Sequence, residues 1–250
     1  AVGALSHYIE RAGVATTSIS LIRPQTERTK PPRALWVSFD LGRPLGSADD
    51  PSFQKNVMRA AFRLLETATE HTIEDYPIDP PDEVQAQQWA CPLNLGPKTD
   101  DSLTGRLLAE VARLKPWSAE TRTSRGGRTL FGASGAATDQ VDEVAKAIGG
   151  FADSGELPES DIEWVFEMPL LVRHLADDLR THYHEAIEAQ PGSGSPNHAA
   201  LNKWIFGGTA LGDTLLAAAD QLTDMDTPMS KLVRGLLIPE GFYRGEATFG

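Results

Sequence analysis

Asp40 and Arg43 flank Leu41 and Gly42 at the end of an uncharged stretch, Ala34 to Phe39. An arginine in such a turn can hold a carboxylate by a two-pronged hydrogen bond, and an aspartate can orient an amine or act as a base. The plainer reading is a turn whose Asp caps backbone N–H groups and whose Arg faces water. Gly42 and Gly46 punctuate the same segment. They admit backbone angles closed to other residues and let a ligand approach the main chain, so Gly42, Arg43 and Gly46 are candidate substrate contacts and Asp40 a candidate catalytic group.

Cys91 is the only thiol, within Gln87-Gln88-Trp89-Ala90-Cys91-Pro92. It is a candidate nucleophile or redox centre if neighbours depress its pKa, but no His or Lys adjoins it. A buried, inert packing residue is the plainer account. His174, Asp178 and His182 stand at successive four-residue spacings on one helical pattern. Adjacent members can chelate a metal, whereas the two histidines are about 12 Å apart along a helix axis and do not readily share one ion. With Leu171, Leu175, Leu179 and Tyr183 on the opposite side, a solvated polar face is favoured, and no metal is assigned. Arg125-Gly126-Gly127-Arg128 and Ser134-Gly135 resemble anion-receiving loops, although a hairpin or turn is the better reading. No GxxxxGKS, GxGxxG, GxSxG or HExxH pattern occurs, and no cofactor is evident.

The elements that position these groups follow from periodicity. Leu35, Val37 and Phe39 alternate with Trp36 and Ser38, predicting a covered strand over 34–39. Asp49 or Asp50 can cap a helix over 51–67, with Pro51 in its first turn and Phe53, Val57, Met58, Ala61, Phe62 and Leu65 at helical spacing. The turn between them leaves the carboxyl end of a strand, where ligands sit in open α/β sheets. A helix over 2–12 ends at Gly13, a strand follows over 14–22, and a short helix fits 25–29. This alternation predicts an α/β fold, with a small, mainly parallel, Rossmann-like sheet in the N-terminal half. Two strands are too few, so a third must come from before Ala1, from elsewhere in the chain or from a partner. A proline-rich segment runs from about Thr72 to Lys98, with a short helix at 82–89. Helices are then expected over 101–115, 138–150, 159–166, 169–190, 198–222 and 228–238, with a short strand within 125–131. The organisation read from this is a single domain over 1–250, an α/β part at 1–75 with a largely helical part at 76–250 packed on it.

The chain has 250 residues, 40% of them hydrophobic, enough for a sizeable core. Its net charge of -12, from 35 acidic and 23 basic residues, argues against nucleic acid or an anionic membrane surface as partner. Small molecules and other proteins fit better, and the helical half offers surface for a homo- or hetero-oligomer. One cysteine excludes an intrachain disulfide framework, and a reducing, cytoplasmic setting is expected. No apolar run approaches the roughly 20 residues that span a bilayer, and the start does not read as a secretory signal. Ala1 is not a methionine and the helix from Val2 begins without a cap, so the expectation is that the polypeptide starts earlier or has been processed.

The order Ile9-Glu10-Arg11-Ala12-Gly13-Val14-Ala15-Thr16, then Pro32-Arg33-Ala34, then Phe39-Asp40-Leu41-Gly42-Arg43-Pro44-Leu45-Gly46, then Gln54, resembles the glycine/sarcosine/betaine/D-proline reductase B-subunit family. The likeness is strongest over 1–70, and the rest is more like shorter bacterial relatives of the reductases. The resemblance implies an oxidoreductase in which a thiolate or selenolate attacks a small amino- or carboxylate-bearing substrate, C–N cleavage being coupled to oxidation to a disulfide-level species. It implies a thioredoxin-like electron donor, and a reactive cysteine or selenocysteine at or before Ala1. Cys91 does not match that motif. On this reading Arg43 holds the carboxylate and Asp40 the amine. The alternative is a non-catalytic ligand-binding or assembly subunit of the same fold.

Overall fold

The computed structural model describes residues 2–47, 50–68, 71–79, 95, 102–190, 196, 198–239 and 241–242. Contacts divide the chain into two units, Ala1–Gln87 and Gln88–Gly250. Cys91 and the helix expected at 82–89 lie outside the described residues.

The first unit is α/β. Its elements are α1 (Val2–Arg11), β1 (Ser18–Ser20), α2 (Arg23–Thr29), β2 (Arg33–Trp36), α3 (Pro51–Thr67) and β3 (Thr72–Asp75). The strands form one parallel sheet in the order β1-β2-β3, with Ile19 opposite Leu35 and Leu35 opposite Glu74. The third strand thus comes from within the chain, at Thr72-Ile-Glu-Asp75, a segment too short and too acidic to announce itself. The strands expected over 14–22 and 34–39 pair over shorter spans, although Val37 and Phe39 stay buried beyond the end of β2.

α3 has the expected bounds, and Asp50 caps it, accepting from the Phe53 N–H at 3.0 Å. Its Phe53, Val57, Ala61 and Leu64 bury against Leu35, Val37, Phe39 and Tyr76. Phe39, Phe53 and Tyr76 form an aromatic triangle with centroids 5.5–6.0 Å apart. Each such side chain contributes about 1.5–3 kcal/mol by leaving water, and together they fix one face of the sheet.

The second unit is mainly helical over its described residues, with α4 (Leu103–Ser124), α5 (Val141–Ser154), α6 (Leu170–Glu188), α7 (His198–Gly208), α8 (Ala210–Asp224) and α9 (Pro228–Leu237). α6 packs against α4, α5, α8 and α9. α4 runs nine residues beyond the expected end at 115, through Pro116. Its buried stripe Leu107, Val111, Leu114, Ser118 and Thr121 keeps helical spacing across the proline, so packing outweighs the lost hydrogen bond.

Three other expectations are corrected. Residues 125–131 make turns and an irregular segment, not a strand, with Gly126 and Gly127 both at positive φ. Residues 159–166 are not helical. Ile162 is buried and Trp164 and Phe166 half-buried, while residues 161, 163 and 165 are exposed, a period of two that no helix has, on a backbone that bends at 161–162 and 165–166. The helix expected at 198–222 is two helices, broken where the Thr209 hydroxyl donates to the Ile205 carbonyl (2.8 Å) and accepts from the Gly212 N–H (3.0 Å).

Among the described residues, no helix is long and apolar enough to cross a membrane.

Candidate ligand site in the α/β unit

The alternation of β1 sets the site. Ile19 and Leu21 pack towards the core beneath α3, whereas Ser18 and Ser20, two residues apart, share the other face of the strand. On that side lies a cavity of about 260 Å³ walled by Ser18, Ser20, Thr26 and Thr29, by the first residues of α1 and by Leu41. Ile19, Gln25 and Pro31 also line it, as do Leu21 and Ile22 just past the carboxyl end of β1, the position at which parallel sheets take ligands.

α1 is held there from both ends. Gly3 lies so close to α2 that an added Cβ would stand 2.8 Å from Thr29 Oγ1, so only glycine lets the helices approach this closely. His7 Nε2 donates to the Thr29 carbonyl at 3.0 Å. Near the other end, Glu10 accepts from the Thr16 N–H (2.7 Å), the Thr16 hydroxyl (2.9 Å) and Arg33 Nη1 (2.6 Å). Arg33 Nε in turn donates to the Ala68 carbonyl at 2.9 Å. The backbone bond from Thr16, with its hydroxyl and Arg33, holds the Glu10 carboxyl below its ordinary pKa. Glu10, Thr16 and Arg33 therefore brace α1, β1 and β2 and do not face the cavity.

The turn after β2 is a tandem of two. Arg43 N–H donates to the Asp40 carbonyl at 3.0 Å, and Gly46 N–H to the Arg43 carbonyl at 2.9 Å. Gly42, at φ +88°, supplies the left-handed third residue that the first turn needs, and Gly46, at φ +84°, closes the second. Gln54 Nε2 ties the turn to α3 through the Ser47 carbonyl (2.7 Å). Asp40 is half-buried and Arg43 exposed, and neither side chain has a partner among the described residues. Of this turn only Leu41 lines the cavity, so Asp40 and Arg43 flank the wall without forming it.

Arg23, at the head of α2, is engaged elsewhere. It pairs with Asp75 and Glu27, which raise its pKa, and its guanidinium lies 5.3 Å from the Trp36 ring centre.

The polar residues of α6 have a different role from either one read in the sequence. Asp178 is fully buried, and its carboxylate accepts from the Gly132, Ala133 and Ser134 N–H groups (2.8, 2.8 and 3.1 Å) and from the Ser134 hydroxyl (2.5 Å). The glycine-rich loop does receive an anion, and it is this chain's own. Glu185, 2% exposed, accepts from Arg122 (2.8 Å) and Thr129 (2.5 Å). Glu110 accepts from the Tyr183 hydroxyl (2.7 Å) and the Ala210 N–H (2.8 Å). Asp178, His182 and Glu185 are therefore buried, not solvated, with the two carboxylates paired inside the unit, and His174 is half-buried. Among the described residues, no three His, Cys, Asp or Glu side chains are grouped to hold a metal.

The hydroxyl wall has little signal in the sequence beyond the alternation of Ser18 and Ser20. Comparison with protein families, curated proteins and solved structures finds no match to the chain.

Proposed function

We propose that the α/β unit is a small-molecule site of an oxidoreductase related to the glycine/D-proline reductases, its sheet a small Rossmann-like one. The substrate is a small amino- or carboxylate-bearing molecule, with its charged end met by Asp40 and Arg43 beside Leu41. A thiol or selenol supplies the attack that breaks the C–N bond, and is left oxidised at the disulfide level. A thioredoxin-like dithiol returns the two electrons, in a reducing, cytoplasmic setting. Cys91 is a weaker candidate for the sulfur than a residue ahead of α1, because only the latter position matches the resemblance.

The observation that carries the reading is the cavity at the carboxyl end of β1, walled by the first residues of α1 and by Leu41. Two segments of the resemblance, the helix ahead of Gly13 and the Gly42–Gly46 turn, thus border one space. The test is thiol and selenol labelling of the native protein with and without candidate amino acids. Protection of a low-pKa group supports the enzyme. Ligand-induced stabilisation with no reactive thiol or selenol sinks it and leaves a non-catalytic binding or assembly subunit.

A further inference from the structure

We propose that the cavity receives an uncharged, hydrogen-bonding end of the ligand, a carboxamide or a hydroxyl, and that Gln25 is the side chain that reads it. The inference rests on the reading of this unit as a small-molecule site and narrows what that site accepts.

Among the described residues that wall the cavity, none carries an ionisable side chain. A carboxylate or ammonium moved inside would lose water without meeting a counter-charge. The hydroxyl protons of the wall are already used. Ser18 donates to the Arg33 carbonyl (3.2 Å) and Thr29 to the Thr26 carbonyl (3.3 Å). Ser20 and Thr26 bond each other, and both reach the Ile22 carbonyl, Thr26 at 2.9 Å, so their two protons stay within that trio.

A hydroxyl that donates still has acceptor lone pairs. The wall therefore offers oxygen acceptors and no spare hydroxyl donor. Gln25 is exposed, has no partner among the described residues, and brings both an NH2 donor and a carbonyl acceptor to the cavity. The group that suits these surroundings donates to the hydroxyl oxygens and pairs in both directions with the Gln25 amide. A carboxamide does both, and a hydroxyl does so in a smaller volume. A carboxylate only accepts and cannot donate to the hydroxyl oxygens, and an ammonium only donates and cannot accept from the Gln25 NH2; neither pairs in both directions. At about 260 Å³ the cavity falls just below the range of roughly 300–1,000 Å³ for drug-sized ligands, so the occupant is of metabolite size.

The test is NMR titration of the full-length, isotope-labelled protein with acetamide, acetate and methylammonium. Acetamide is expected to shift the Gln25 side-chain amide and the backbone N–H signals of Ser20, Thr26 and Leu41. Acetate and methylammonium at equal concentration are expected to leave them in place. Gln25→Ala, at an exposed position, and Gln25→Glu, which keeps the shape but loses the donor, are each expected to weaken acetamide about three- to tenfold. Equal binding of either ion, an acetamide response indifferent to both substitutions, or no acetamide response overturns the inference. Failure here is separable from failure of the reductase reading. Thiol protection by an amino acid without an acetamide response defeats only the uncharged-ligand inference, and an acetamide response without any reactive thiol or selenol defeats only the enzyme.

Discussion

Acidification from about pH 7.5 to pH 5 should destabilise the helical unit through His182. The imidazole is fully buried on α6, and its Nε2 lies 3.3 Å from the Val111 carbonyl. A carbonyl only accepts, so Nε2 carries the hydrogen, and Nδ1 is left buried without a partner. Burial pushes the pKa down to about 4, the Val111 carbonyl opposes that shift, and Arg122 and Lys115 add to it against Asp142. The unfolded chain takes up this proton near pH 6.5, and the folded chain only near pH 4. Between those values the unfolded state binds more protons, so stability is fully present above pH 6.5 and is lost as the pH falls towards 4. The whole interval corresponds to about 3 kcal/mol, of which about 2 kcal/mol is gone by pH 5. The assay is urea unfolding by far-UV circular dichroism across the pH range, for the native sequence and His182→Gln. Glutamine can still donate to Val111 and does not titrate, and the carboxylates common to both proteins cancel in the difference. The stability difference between the two should narrow by about 2 kcal/mol from pH 7.5 to pH 5. A difference that stays flat with pH would refute the burial argument.

Asp178→Asn should cost about 3 kcal/mol, because an amide NH2 is turned against N–H donors in the loop that the carboxylate now gathers; unfolding and limited proteolysis near Thr129–Phe131 would report it. Glu10→Gln should cost about 1–2 kcal/mol by removing the charge beside Arg33. Because the folded pKa of Glu10 is lowered, its stabilisation is present above its ordinary carboxyl pKa and fades as the pH falls through the folded value, so the variant should show a shallower acid limb in a pH series of melts. Gly212→Ala should cost about 3 kcal/mol, since a Cβ there would stand 2.1 Å from the Ile205 carbonyl oxygen, backbone that cannot rotate away; a denaturant midpoint unchanged from the parent would count against it.

The elements with strong periodicity were legible. α3 could be read from its capping Asp, its Pro51 and the Phe53, Val57 and Ala61 of its apolar stripe, although Met58, Phe62 and Leu65 of that stripe are exposed and Leu64 is buried instead; the turn at 40–46 could be read from its two glycines. β3 was not legible, because Thr72-Ile-Glu-Asp75 is only four residues and becomes a strand through pairing with Arg33–Trp36. The segment at 159–166 is not legible as irregular, because Ile162, Trp164 and Phe166 are as hydrophobic as a helix face while their spacing of two is not a helix's. The site was half legible. Asp40 and Arg43 stand out by type, but only the fold reveals that Leu41 turns to the cavity and that Ser18, Ser20 and Thr26 form its wall. Glu10, Thr16 and Arg33, prominent in the resemblance, prove to be a brace, a role that depends on distances no spacing rule supplies.

The most direct test of the proposed chemistry is the stoichiometry of amine release by the native protein, with a reduced thioredoxin-like dithiol and small N-substituted amino acids. The expected result is one dithiol oxidised for each amine released, with the release abolished by prior alkylation of the protein. Saturable binding of those amino acids with neither amine release nor dithiol oxidation would contradict it.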